Sequence, residues 1–246
     1  MSGQPTLDTQ RRAWNDWNAA SREVTVGQSQ LEQAGVIEAW IAREPGPLEG
    51  RRLLDVGCGA GWLTDRLRAY GEVVGIDLAD EVVARTRERL PDVTLIAGDF
   101  LQVDLPDESF DVIVSCEVLS HVADQRAFVD RCHRLLKPGG FLMIATQNRP
   151  IYERHAGHFP NPGWHRRWLD RHELRSLIAS RLDVVELRSI TPKFFSGPLR
   201  IVNSERLERV VRRVGLWPVL RRIKSYEERR FLGSTLVCLA RKRGSC

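Results

Sequence analysis

Between Arg51 and Asn148, short runs of apolar and β-branched residues alternate with stretches in which apolar side chains recur every three or four positions. A run of four to seven such residues reads as a strand, and the three-to-four spacing reads as one face of a helix. The pattern predicts strands at Arg52–Val56, Glu72–Ile76, Val93–Ala97, Phe110–Cys116 and Phe141–Gln147. Helices are predicted between them at Trp62–Tyr70, Asp80–Leu90 and Asp124–Leu136, the last stopped by Pro138-Gly139-Gly140. Strands so continuously apolar are covered on both faces, and strict alternation with helices requires parallel crossovers, so the body is expected to be a three-layer α/β sandwich. Beyond it come a helix near Asp170–Ser180, a strand at Leu182–Ile190 and a last strand at Ser234–Ala240. A helix around Gln30–Ala42, with Trp14 and Trp17 ahead of it, reads as a cap over the carboxyl edge of the sheet. The expected divisions are residues 1–47 as N-terminal helical cap, 48–190 as α/β core, 191–233 as a basic helical insertion and 234–246 as the last core strand with its tail.

Composition narrows the class without changing this picture. At 246 residues, 42% hydrophobic and 28% charged, the chain is an ordinary globular one, long enough to bury a core without disulfides or a structural metal. Five cysteines form no CxxC pair and no zinc spacing, which fits a reducing, cytoplasmic setting. The N-terminus lacks a basic start followed by an apolar stretch, and no uncharged run approaches membrane-spanning length. The net charge of +5 is unevenly placed: Thr191–Gly233 carries +7 and the rest of the chain −2. Within that segment Leu207, Val210, Val211 and Val214 recur at helical spacing among arginines, up to Gly215. Such a helix packs its stripe on the body with a solvated basic face, or meets an anionic acceptor, an acidic membrane surface or a nucleic-acid backbone.

The candidate chemistry begins at Leu53-Leu54-Asp55-Val56-Gly57-Cys58-Gly59-Ala60-Gly61, where three alternate glycines follow the first strand and precede a helix. The backbone of such a turn approaches a ligand closely, because no side chain blocks it. A dinucleotide fingerprint would place a third glycine where Trp62 stands, which disfavours NAD. Asp55 beside the turn would repel a pyrophosphate but suits a ligand bearing an ammonium or sulfonium. Asp77, ending the second strand, is placed to accept from two ribose hydroxyls.

Asp55-x-Gly57-x-Gly59-x-Gly61, Asp77, Gly98-Asp99-Phe100, Phe110-Asp111-Val112-Ile113 and Leu136-Lys137-Pro138-Gly139-Gly140 follow one another in an order and spacing that resembles the class I S-adenosylmethionine (SAM)-dependent methyltransferases. Glu117-Val118-Leu119-Ser120-His121-Val122 is similar to the small-molecule branch around ubiquinone-biosynthesis-type and natural-product O-methyltransferases, where Glu often stands at the place of Ser120. The resemblance covers Arg51 to Gln147. It implies a Rossmann-like, seven-stranded, mostly parallel sheet with an antiparallel last strand. It also implies SAM as cofactor and S-adenosylhomocysteine as product. Gly57, Gly59 and Gly61 would line the methionine moiety. Trp62, in place of the small or aliphatic residue common there, would pack on the methionine chain or merely start the helix, and Cys58 and Cys116 would belong to the cofactor site. Asp55 would sit near the amino group, Asp77 would hold the ribose, Asp99 would face the adenine amino group, and Leu78 and Phe100 would pack on the ring. For Asp99 a turn-capping role competes.

Methyl transfer to a hydroxyl needs alignment and removal of a proton. His121, four residues after Glu117 just past the fourth strand, is the first candidate base, against a packing or capping role. His155, His158 and His165 form a second set, interleaved with Tyr152, Phe159, Trp164 and Trp168 in a loop suited to line an acceptor pocket. Lacking a well-spaced third ligand, they predict no metal. The expected activity is methylation of a small molecule, directed to oxygen. A nucleic-acid methyltransferase would need an Asn/Asp-Pro-Pro-aromatic motif where Cys116-Glu117-Val118-Leu119 stands, or a Pro-Cys nucleophile. A non-catalytic SAM-binding partner protein is the remaining alternative.

Overall fold

Side chains of a strand alternate between faces, and the first strand, β1 (Arg52–Val56), buries both: Leu54 and Val56 face one apolar cluster, Leu53 the other. The computed structural model describes residues 5–22, 25–43, 50–154, 165–191 and 204–244. Six further strands, β2 (Glu72–Asp77), β3 (Thr94–Ala97), β4 (Phe110–Cys116), β5 (Leu136–Gln147), β6 (Asp183–Ile190) and β7 (Thr235–Arg241), join β1 in one sheet of order β3-β2-β1-β4-β5-β7-β6. Strands β1 to β5 pair in parallel, and β7 lies antiparallel between β5 and β6. This is the expected Rossmann-like arrangement, with the antiparallel last strand.

Helices α1 (Leu7–Trp17), α2 (Gln28–Arg43), α3 (Trp62–Leu67), α4 (Asp80–Arg89), α5 (Gln125–Leu135), α6 (Arg149–Arg154), α7 (Arg171–Ala179), α8 (Glu205–Arg213) and α9 (Trp217–Arg229) surround the sheet. Ala34, Ile37, Trp40 and Ile41 of α2 are fully buried with Leu63 of α3 against one sheet face. Phe128, Val129 and Cys132 of α5 and Leu174 and Ile178 of α7 fill the other. Of the expected cap, α1 lies over the carboxyl edge, and α2 reaches it with Gln30 and Gln33 of its first turns. Helix α1 is tied to the first turn of α4 by Asn15 Nδ2, which donates to Asp80 at 2.9 Å, and by an Arg11–Asp80 ion pair. The second helix belongs to the sandwich because its apolar stripe is too wide to leave the core. Two ends are set by side chains: Asp124 caps α5, and Asp170 with Glu173 forms a reciprocal capping box on α7. Pro138-Gly139-Gly140 does not separate helix from strand by a loop. The chain enters β5 at Leu136, and a register irregularity between Phe110 and Val112 absorbs the glycines. Among the described residues no helix is long and apolar enough to cross a membrane.

Candidate active site

Because β1 to β5 run in parallel, the turns after all five collect at one edge, around the point where the chain order reverses between β1 and β4. They surround a cavity of about 700 Å³, which Trp14 and Trp17 of α1 and Trp168 also line. That volume holds a nucleoside-sized ligand with an acceptor beside it.

The glycine turn forms the floor. Gly57 sits at φ 80° and Gly59 at φ 48°, and an added Cβ at Gly57 would lie 2.0 Å from Val118 Cγ2, so the close approach of β1 and β4 leaves no room for a side chain. Gly61 differs from its expected role. It caps the start of α3 at φ 71°, an added Cβ there would meet Thr86 of α4 and Leu90 just past it, and the residue is not among those lining the cavity. Trp62, first residue of α3, lines the cavity.

Three carboxylates stand around this floor. Asp55 is buried and accepts from Thr64 Oγ1 at 2.6 Å. Burial pushes its carboxyl up to about 7, opposed by the Thr64 hydrogen bond and reinforced by nearby Asp77. Asp77 accepts from Gly59 N through Oδ2 and from Ala79 N through Oδ1, both at 2.8 Å. Burial raises its carboxyl too, against these backbone donors. Each oxygen retains acceptor capacity, since a carboxylate takes about four hydrogen bonds. Asp99 Oδ1 accepts from Leu101 N at 3.0 Å, so the turn-capping role is real, and the residue also lines the cavity. Phe100, fixed by Phe128 at 5.0 Å between ring centroids, and Leu78 supply apolar wall beside it. Cys58 and Cys116 complete the lining as neutral thiols, because burial pushes both well above the usual range. A glycine floor too tight for any Cβ, acidic groups for a cation and a diol, and an apolar slot for a base together fit SAM and would repel a phosphate.

The raised Asp55 carboxyl has a direct consequence for stability. Unfolded, it titrates near 3.8; folded, near 7. A carboxyl that holds its proton more tightly when folded stabilises fully below the unfolded value and loses that contribution as pH rises through the folded one. The ligand-free protein is therefore expected to lose on the order of 3–4 kcal/mol between pH 4 and 7 from this group. Thermal unfolding across that range should show the loss in the wild type and largely remove it in Asp55→Asn. Parallel curves would show that Asp55 titrates normally.

The candidate catalytic residues do not all meet. Glu117 adopts φ 63°, a left-handed conformation uncommon for a side-chain-bearing residue, and its Oε1 accepts from Gln33 Nε2 at 2.7 Å. His121 lines the same wall, with the Trp14 ring 4.8 Å away in an edge-on arrangement. Its Nδ1 lies 3.0 Å from the His165 carbonyl. A carbonyl only accepts, so Nδ1 carries the hydrogen and Nε2 the lone pair. Burial holds the imidazole down at about 4, opposed by the hydrogen bond to the His165 carbonyl and reinforced by the nearby charges of Arg166 and the His165 side chain, so it is neutral near pH 7. His165 thus serves through its backbone. Its ring is absent from the cavity wall, and Nε2 is buried without a hydrogen-bond partner among the described residues. His155 and His158 lie outside the described residues.

Pattern reading passed over Asn18, Gln33, Gln147 and Arg166, all of which line the cavity. Gln147 Oε1 accepts from Ser120 Oγ at 2.5 Å, which ties the end of β5 to the turn after β4. Only Gln33 left a signal: a polar residue on the same helical face as Ala34, Ile37 and Ile41, where an apolar one would pack.

A family profile described as a methyltransferase domain matches residues 54–144. A probable SAM-dependent methyltransferase of Mycolicibacterium smegmatis is 37% identical over 130 residues, covering 52% of this chain and 50% of that protein. A ubiquinone biosynthesis O-methyltransferase of Cereibacter sphaeroides is 38% identical over 132 residues, covering 52% and 53%. The chain therefore spans about half the length of the curated relatives it matches. Among solved structures, the N-methyltransferase NodS of Bradyrhizobium japonicum, in complex with S-adenosyl-L-homocysteine, shares the fold at a TM-score of 0.62 and 17% identity, covering 93% of this chain and 98% of that one. Residues 54–144 thus match a methyltransferase domain, and the sheet order and glycine turn around them are similar to those of class I SAM-dependent methyltransferases.

Proposed function

We propose that this chain transfers a methyl group from SAM to an oxygen of a small-molecule acceptor. The observation that carries the reading is His121, a residue of the cavity wall, neutral and held by the His165 carbonyl so that its lone pair is on Nε2. The sulfonium of the bound cofactor supplies an electrophilic methyl. Asp55, Asp77 and the glycine turn hold that cofactor, and the tryptophans of α1 with Trp168 supply apolar wall around it. A hydroxyl oxygen that begins to bond carbon becomes far more acidic, so a base as weak as His121 suffices to take its proton on Nε2. Alignment supplies most of the rate, and the base completes it. Gln33 fixes Glu117 beside the acceptor space. The O-methyltransferase name of the Cereibacter relative supports oxygen over nitrogen. A nucleic-acid acceptor would draw on the basic segment, yet among the described residues nothing in α8 or α9 lines the cavity.

Methyl-labelled SAM incubated with the protein and extract of its source organism, followed by separation into organic-soluble, nucleic-acid and protein fractions, tests the reading. Label should enter the organic-soluble fraction and yield a product whose O–CH₃ group is assigned by NMR. Label in nucleic acid overturns the small-molecule assignment. SAM binding with no label in any fraction favours a non-catalytic partner protein.

A further inference from the structure

Helices α8 and α9 take no part in the cofactor site, and their surface is unusual. The second is seated on β6 by Leu220, 4% exposed, with Glu227 buried one face-repeat further on. Its other side carries Val219, Ile223 and Tyr226, spaced four and three residues apart and 54%, 43% and 56% exposed. On α8 and the turn after it, Val210, Val214 and Leu216 are likewise more than half exposed, and Gly215, at φ 74°, turns the chain between the two helices. Of nine large apolar side chains exposed among the described residues, these are six. An exposed apolar patch of this kind marks an interaction surface rather than a folding requirement.

Charge decides what covers it. From Ser204 to Gly233 nine arginines and lysines stand against four glutamates. Arg213, Arg221 and Arg222 flank the exposed apolar positions in sequence, and the Arg212 guanidinium lies 3.6 Å from the centroid of the Trp217 ring. A nucleic acid would use the arginines and leave valine and leucine in water; a neutral apolar partner would bury the side chains and gain nothing from the arginines. An anionic bilayer uses both, with apolar groups at the acyl boundary and guanidinium groups at the depth of the phosphates. We propose that the α8–α9 helix pair docks this protein on an anionic lipid surface, seating Val214, Leu216 and Val219 at the acyl boundary and Arg213 and Arg222 on headgroup phosphates, Arg222 standing three residues beyond Val219 and four before Tyr226 on the same side of α9. The docking stands apart from the identity of the methyl acceptor.

Sedimentation of the full chain with vesicles of phosphatidylcholine, alone or mixed with phosphatidylglycerol, tests it. The mixed vesicles should carry down the protein, and the neutral ones should leave it in solution. Val214→Asp with Leu216→Asp should weaken partition roughly tenfold or more, because two apolar anchors become anions facing anions. Both positions are exposed, so the unfolding temperature should stay put; Arg213→Glu with Arg222→Glu reaches the same loss by charge alone should the first variant misfold. Failure to sediment with the mixed vesicles overturns the proposal. So does wild-type partition in the Val214→Asp, Leu216→Asp variant, tighter binding to duplex RNA than to vesicles, or self-association through this face without vesicle binding.

Discussion

Replacing His121 by alanine is expected to lower kcat by about 10²–10⁴-fold, the range for removal of a positioned general base, with little change in SAM affinity measured by calorimetry. The split follows from geometry. His121 comes from the turn after β4, whereas Asp55 and Asp77 stand at the carboxyl ends of β1 and β2 and Asp99 just past β3, so the substitution removes the proton acceptor and leaves those carboxylates in place. With acceptor and cofactor saturating, kcat of the wild type should be flat from pH 6 to 8, since an imidazole held at about 4 is already neutral there. His165→Ala supplies the control: it keeps the carbonyl that fixes Nδ1 and should cost far less than loss of His121 itself. Undiminished turnover in His121→Ala would remove the base and leave the rate to alignment. A rising limb near pH 6.5 would show that His121 is solvated rather than buried.

Much of the sheet was legible because parallel strands buried on both faces leave continuous apolar runs, and the turns after them carry glycine or aspartate for reasons of backbone geometry. Asp55, Asp77 and Asp99 could be placed at the carboxyl edge for that reason alone. What stayed hidden depends on contacts between segments distant in sequence. Gln33 reaches Glu117, Ser120 reaches Gln147, and the His165 carbonyl orients His121, and no local pattern encodes any of these pairs. Gly61 was misplaced because its left-handed conformation is shared with Gly57 and Gly59, while the direction it faces is set by α4. The second basic helix was missed because its apolar positions, Val219, Ile223 and Tyr226, face outward and give no reason to expect packing.

Asp77→Ala is expected to weaken SAM binding by roughly 10²–10⁴-fold, since two hydrogen bonds from ribose hydroxyls to a carboxylate are each worth about 1.5–3 kcal/mol. The substitution also strips Gly59 N and Ala79 N of their acceptor, so part of any loss could come from the turn relaxing rather than from the ribose. Asp77→Asn does not separate the two, because its amide NH₂ would have to face one of those N–H donors. A second ligand does. S-adenosylhomocysteine and its 2′-deoxy analogue should differ in affinity for the wild type by the value of one hydroxyl, and Asp77→Ala should bind them almost equally. If the variant still discriminates between them, the hydroxyl is recognised elsewhere and the role of Asp77 is confined to holding the turn. If discrimination vanishes together with most of the affinity, the carboxylate does both: it braces the backbone of Gly59 and reads the diol, which its remaining lone pairs permit.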